Sequence, residues 1–276
     1  MSPEAPFASP EQLARYLTRV HVDAAATTAG PTAALLATLH EAHLRAIPFE
    51  NLEIHLGRPM RIEPDALFED LVDRHRGGYC FQMNELLALV LTALGYRVER
   101  FAARVWFGNP MPLPPRSHQC LRVTDGDGQR WFCDVGFGGA TPLLPVPWRF
   151  DEACEQQLSD YRLTRHSMHG VMVQTRLPSE RSADTAWQDL ISFDEVEQFP
   201  IDFKLANYAI STMPGSKFVV QRLASFVVGD TRMNVQDGAL RRISPSGVSV
   251  ETLPPAAETE LLRGIFGLEL PATLPW

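Results

Sequence analysis

The chain of 276 residues is 45% hydrophobic, which exceeds one average domain and suffices for a sizeable core, so two or three modules in one compact unit are expected. Its formal charge of −8 and the lack of a clustered Lys/Arg block argue against nucleic acid or an anionic membrane surface as a partner. Cys80, Cys120, Cys133 and Cys154 show no CxxC spacing and are too sparse for a disulfide scaffold, so reduced thiols in the cytoplasm are expected.

Residues 1–95 read as helical. Met1 to Val20 lacks the basic region and apolar stretch of a signal peptide and has the pattern of a surface helix. Pro10 opens that helix, Ser9 caps it, and Leu13, Tyr16, Leu17 and Val20 fall at helical spacing. A second helix follows Gly30-Pro31, uses Leu35, Leu36, Leu39 and Leu44, and stops before Pro48. A third follows Pro64, with Leu67, Phe68, Leu71 and Val72. A fourth starts at Cys80, continues through Leu86, Leu87, Val90 and Leu94, and ends at Gly95. Four amphipathic helices in this stretch predict a bundle. The longest strongly apolar run, Leu86 to Leu94, has nine residues against the ~20 needed to cross a bilayer.

After Gly95 the texture changes. Tyr96 to Phe107 is rich in β-branched and aromatic residues, and strands recur near His118, Asp134, 161–165 and 171–175 between Gly and Pro clusters. A small barrel or antiparallel sheet is expected over residues 96–192. The Pro-rich loop Asn109 to Arg116 leads straight into His118, where it could gate a pocket. Residues 193–276 are mixed: a helix around Asp194 to Tyr208, strands near Phe218 to Val228 and Gly247 to Glu251, and a closing helix near Glu258 to Phe266. No repeat or low-complexity segment interrupts them.

The run Arg76-Gly77-Gly78-Tyr79-Cys80-Phe81-Gln82-Met83-Asn84 sets a cysteine where a glycine turn gives way to a helix. Unpaired N–H groups at a helix start favour negative charge and bias such a cysteine toward thiolate. A helix terminus supplies about 0.3–1 kcal/mol, up to ~2 in sheltered geometry. One pKa unit is about 1.4 kcal/mol. His-paired catalytic cysteines lie several units below a free thiol, so a nearby imidazolium is required.

His118, in the strand SHQCLRVT, is the best placed of eight histidines. Beyond the turn Asp125-Gly126-Asp127-Gly128, a second strand runs Gln129 to Val135 and predicts a hairpin. An odd-length loop, with a turn glycine in the left-handed region, would set His118 and Asp134 directly opposite one another; a two-residue turn would separate them. The odd loop is expected, because a carboxylate beside the imidazole fixes its tautomer and stabilises its cation. Taken singly, each residue has an ordinary packing role. Together they match a nucleophile, a base and an orienting group. His40-Glu41-Ala42-His43 lacks HExxH spacing and is assigned to packing or surface, with no metal.

RGGYCFQMN, Ile47-Pro48-Phe49-Glu50-Asn51-Leu52, His118 in its strand, Asp134-Val135-Gly136-Phe137-Gly138-Gly139 and Ser211-Thr212-Met213-Pro214-Gly215-Ser216-Lys217-Phe218 together resemble the arylamine N-acetyltransferases, in the right order over most of the chain. The resemblance implies an α+β fold with a cysteine-protease/transglutaminase-like core. Residues 1–95 would form the helical bundle carrying the nucleophile, 96–192 a central antiparallel β-barrel carrying His and Asp, and 193–276 an α/β lid. It implies a Cys80, His118, Asp134 triad, acetyl-coenzyme A as donor, and an aromatic amine or hydrazine as acceptor in a slot lined by Phe49, Phe137 and Phe218. The acetyl group would rest on Cys80 between two half-reactions. An acidic chain must hold an anionic coenzyme by local features: N–H groups around Gly136 to Gly139, and the cations Arg104 and Lys217. Coenzyme contact is accordingly assigned to Arg104, Val105, Trp106, Gly138, Gly139, Ser216 and Lys217. The family has glutamate two positions after the cysteine; here Gln82 stands there, without a charge to offer Arg76. Competing readings are a macrolactam-closing amide synthase of the same family, a transglutaminase-like cysteine hydrolase, and a binding module with a structural thiol.

Overall fold

In the computed structural model, which describes residues 7–177, 187–272 and 274, the chain begins with helix α1 (Pro10–Arg19). Ser9 Oγ accepts the Gln12 N–H and Gln12 Oε1 accepts the Ser9 N–H, a reciprocal cap with Pro10 at the first helical position. Thr32 caps α2 (Ala33–Ala46) through Leu35 N–H, and α2 stops where Pro48 follows. After β1 (Phe49–Glu50) and the short α3 (Leu52–His55), α4 (Pro64–Leu67) runs into a π-helical stretch, Phe68–Asp73. Helix α5 (Cys80–Ala93) is buried from Cys80 through Leu91. A helix apolar on every side belongs at the centre, and α1, α2 and α4 pack around it. Each fully buried Leu or Phe there contributes roughly 1.5–3 kcal/mol. Among the described residues, no helix is long and apolar enough to cross a membrane.

Seven antiparallel strands follow in the order β5-β4-β3-β2-β8-β7-β6: β2 (Arg97–Val105), β3 (Arg116–Thr124), β4 (Arg130–Cys133), β5 (Val146–Pro147), β6 (Asp160–His166), β7 (Gly170–Arg176) and β8 (Gln188–Phe193). Bridges from Phe150 to Leu163 and from Cys154 to Tyr161 bring the β5 end to β6, so the sheet is a nearly closed barrel. Phe101, Cys120, Phe132, Leu163, Val173 and Phe193 fill its interior, while Leu121, Val123 and Cys133 point the other way into the helical core. Alternation along β3 and β4 thus serves two cores at once.

The C-terminal part differs from expectation in three places. Helix α6 (Pro200–Thr212) starts at Pro200 rather than near Asp194; Phe199 before it is extended, as a residue preceding proline prefers. Phe218 lies on a helical turn, α7 (Lys217–Val220), and the strand expected there begins later, as β9 (Leu223–Val228). The polar strands β10 (Thr231–Gln236) and β11 (Ala239–Ser244), joined through Asp237-Gly238, were not anticipated. With β12 (Gly247–Thr252) they form a second sheet, β1-β9-β10-β11-β12, to which the N-terminal region contributes β1. Helix α8 (Pro255–Gly264) covers this sheet through Leu262.

Candidate active site

Two glycines place the cysteine. A Cβ on Gly77 would lie 2.5 Å from both Glu50 Cγ and Pro48 O, so only glycine lets this backbone reach the segment carrying β1. Gly78 N–H then donates to Pro48 O at 3.1 Å and Glu50 N–H to Gly78 O at 2.8 Å, which fixes the entry of α5 and makes Cys80 its first residue. Gln82 completes the start neutrally: Oε1 accepts Tyr79 N–H at 3.4 Å and Nε2 donates to Arg61 O at 3.0 Å. Arg76 finds its carboxylates elsewhere, pairing with Glu53 and lying 3.9 Å from Glu50 Oε1.

The His/Asp hairpin has a five-residue loop between Thr124 and Arg130, with Gly128 at φ +79°. Asp125 Oδ1 accepts the N–H groups of Asp127 and Gln129, and Oδ2 accepts Trp131 Nε1–H. The odd loop keeps His118 and Asp134 on one face. They are nevertheless diagonal neighbours, not directly opposite as expected. Leu121 faces Cys133, so the next position sets Cys120 against Asp134, with His118 two residues further along β3. Side-chain reach closes that gap: His118 Nε2 lies 2.6 Å from Asp134 Oδ2.

Asp134 is fully buried, and its other oxygen accepts from Asn84 Nδ2 and from Gly136 N–H, each at 2.9 Å. Its own N–H donates to His40 Nε2 at 3.3 Å, and His40 Nδ1 meets Leu143 O at 3.2 Å. Burial pushes the His40 pKa down to about 4, so this ring is a neutral spacer behind the carboxylate. For His118 burial also opposes the charged ring. The Asp134 charge and hydrogen bond, with the Cys80 thiol behind them, prevail and raise its pKa to about 10. Cys80 Sγ lies 3.8 Å from Ser117 O, the residue before His118. The structure thus brings Cys80, His118 and Asp134 together, with Cys80 only 2% and His118 only 3% exposed.

Aromatic rings enclose the group. Phe137 stands edge-on to His118 with ring centres 5.5 Å apart, and Phe107 stands edge-on to Phe137 at 6.2 Å. Phe218 packs edge-on to Tyr79 at 5.3 Å and tilts against Phe49 at 6.4 Å. Gly138, at φ +82°, lies flat on the Phe49 ring, where a Cβ would be 3.0 Å away.

The coenzyme candidates fall in three places. Arg104, Val105 and Trp106 stand at the end of β2: Arg104 donates to Pro114 O at 2.6 Å, clamping the Pro-rich loop, and Trp106 Nε1–H donates to Ser192 Oγ at 2.8 Å. Arg104 also borders a cavity of about 160 Å³ with Arg116, His169 and Asp194. Gly138 and Gly139 follow Phe137, with Gly139 against Asn234. Ser216 Oγ donates to Ile210 O beside exposed Lys217. Asn84 and Phe107 were given no role at the site from the sequence, and His40 was assigned only to packing or surface. Of these only Asn84 carried a signal, its place four residues after Cys80 on one helix face. Among the described residues, no group of three His, Cys, Asp or Glu side chains is arranged to hold a metal ion.

Known proteins share this arrangement of chain. A family model described as N-acetyltransferase matches residues 32–274. The arylamine N-acetyltransferase of Mycobacterium tuberculosis is 39% identical over 245 residues, 87% of this chain and 84% of that protein. The arylamine N-acetyltransferase / N-hydroxyarylamine O-acetyltransferase of Salmonella typhimurium is 35% identical over 203 residues, 74% of this chain and 68% of that protein. The structure of Mycobacterium marinum arylamine N-acetyltransferase in complex with CoA matches with a TM-score of 0.85 at 35% identity, covering 93% of this chain and 92% of that one.

Proposed function

The chain belongs to the arylamine N-acetyltransferase family, and on that premise we propose that Cys80 relays an acetyl group from acetyl-coenzyme A to an arylamine, arylhydrazine or similar amine in two half-reactions. The observation that carries this reading is the 2.6 Å bond between His118 Nε2 and Asp134 Oδ2, which leaves the other ring nitrogen for the thiol at the start of α5. The first half-reaction starts with Cys80 as thiolate beside protonated His118. Sulfur attacks the thioester carbonyl, the bond to coenzyme A sulfur breaks, and the His118 proton passes to that departing sulfur. The second half-reaction reverses the traffic. The amine nitrogen attacks acetyl-Cys80, His118 takes the amine proton, and the amide leaves as the thiolate–imidazolium pair reforms.

Asp134 keeps the ring oriented and favours its charged form throughout. The exchange of one thioester for another is nearly balanced in energy, so acetyl-Cys80 can wait for an amine. Phe137 against His118, with Phe49 and Phe218 beside Tyr79, supports a flat apolar acceptor slot. Arg104, Val105, Trp106, Gly138, Gly139, Ser216 and Lys217 are assigned to the coenzyme, the cations to its phosphates. The four free cysteines fit a reducing, cytoplasmic setting. Initial rates measured against both substrates test the route. Parallel double-reciprocal lines are expected, and lines that intersect would require a ternary complex in place of the acetyl-enzyme.

A further inference from the structure

Arg232 on β10 is 1% exposed, and its guanidinium donates through Nη2 to Thr141 O. Its Nε and Nη1 have no hydrogen-bond partner among the described residues, and neither has the buried hydroxyl of Thr141 beside it. Other buried arginines are matched by acids: Arg100 with Glu85, Arg76 with Glu53, and Arg176 with Asp160. Among the described residues, no acidic side chain lines the space that Arg232 faces. That space is a small, partly open void bordered by Phe49, Met83, Gly138, Thr141, Ser225 and Arg232 and otherwise by apolar side chains, with room for about one water-sized particle.

A guanidinium stays charged in proteins, and a buried charge without a counter-charge is costly. Water in the void would satisfy one or two donors and leave the charge uncompensated. A monatomic anion would do both. Carboxylates and phosphates are too large for the space. We propose that Arg232 Nε and Nη1, with the Thr141 hydroxyl, form a halide site, occupied by chloride in ordinary solution. Arg232 and Thr141 belong to the second sheet and to the loop that follows Asp134 and Phe137, respectively. The bound anion therefore joins the lid sheet to the segment behind the aromatic slot, and the proposal stands apart from the assignment of catalytic roles.

Crystals of the full chain with bromide replacing chloride, measured at the bromine absorption edge, test the site. An anomalous peak within hydrogen-bonding reach of Arg232 Nε and Nη1 is expected. A water-like density without anomalous signal overturns the proposal, as do peaks at the surface alone, which mark an adventitious ion only. In solution, sodium gluconate replaced by sodium chloride at fixed ionic strength should raise Tm saturably by about 2–4 °C in the wild type. Arg232→Met should abolish the saturable rise; the same rise in wild type and variant overturns the site. Should the variant fail to fold, the wild-type bromide peak decides.

Discussion

Asn84 lies one helical turn beyond Cys80 and donates through Nδ2 to Asp134 Oδ1 at 2.9 Å. The same amide donates to Gln119 O at 2.6 Å, and Asn84 Oδ1 accepts Val135 N–H at 2.9 Å. One side chain therefore ties the helix that carries the sulfur to both arms of the hairpin that carries the ring and the carboxylate. Asn84→Ala leaves buried groups unpaired, at about 1–3 kcal/mol each. It should lower Tm and reduce kcat/KM at least ~10-fold by displacing Asp134. Thermal denaturation with steady-state kinetics checks this; activity within twofold of wild type would remove Asn84 from a positioning role.

Asp134→Asn preserves the outline of the hydrogen bond and removes the charge that holds the His118 pKa near 10. A loss of about 10²–10⁴ in kcat at neutral pH is expected, together with a lower His118 pKa in an NMR titration. The sign of the stability effect follows from the raised value. Folded His118 keeps its proton above the unfolded value of 6.5, so the stability it contributes is complete below about pH 6.5 and is lost as pH rises through about 10. The margin of wild type over His118→Gln should shrink across that window in denaturant titrations, and a constant margin would contradict the assignment.

Acid should act through the opposite pair of rings. Burial holds His40 neutral down to about pH 4, and burial with the neighbouring His40 and Arg19 charges holds His43 neutral down to about pH 3. The unfolded chain takes up both protons near 6.5, so stability falls as pH drops from about 6.5 toward 4. His43 Nδ1 meets Tyr16 OH at 3.0 Å. His43→Gln should flatten the acid slope of Tm whatever its cost at neutral pH. An unchanged slope would mean that the folded protein admits the proton.

Gly136 lies at a close approach between α5 and the segment that follows β4. A Cβ there would sit 2.6 Å from Cys80 Cα and 3.0 Å from Cys80 O, and neither atom can swing away as a side chain could. Gly136→Ala should force β4 off the helix, destabilise by about 2 kcal/mol or more, and abolish turnover. Circular dichroism melting and an activity assay suffice; a wild-type Tm would show that the helix and hairpin are not locked at this position.

The candidate residues were more legible in the sequence than the groups that support them. The place of Cys80 at a helix start was readable from the Gly-Gly turn before an apolar helix, whereas the shared face of His118 and Asp134 followed only once an odd loop was assumed on chemical grounds. The diagonal offset was not readable, because parity fixes the face and not the register. His40 contacts Asp134 across 94 residues of sequence, a separation at which helical spacing carries no information. The contact of Arg104 was equally hidden: its Nη1 donates to Pro114 O of the adjoining loop, a tertiary pairing that the sequence does not display. β10 and β11 carried a hairpin signal in Asp237-Gly238, but the interspersed Arg and Asn residues, Arg232 among them although it is buried, masked the alternation of Val235, Leu240 and Ile243.

The most direct test of the account is whether acetyl-coenzyme A, offered without an amine, leaves one acetyl group on the protein and where. Intact mass followed by peptide mapping should find it on Cys80, absent from Cys80→Ser, and discharged when an arylamine is added. Acetylation at another residue, or an unlabelled Cys80 in a protein that still acetylates arylamines, would contradict the account.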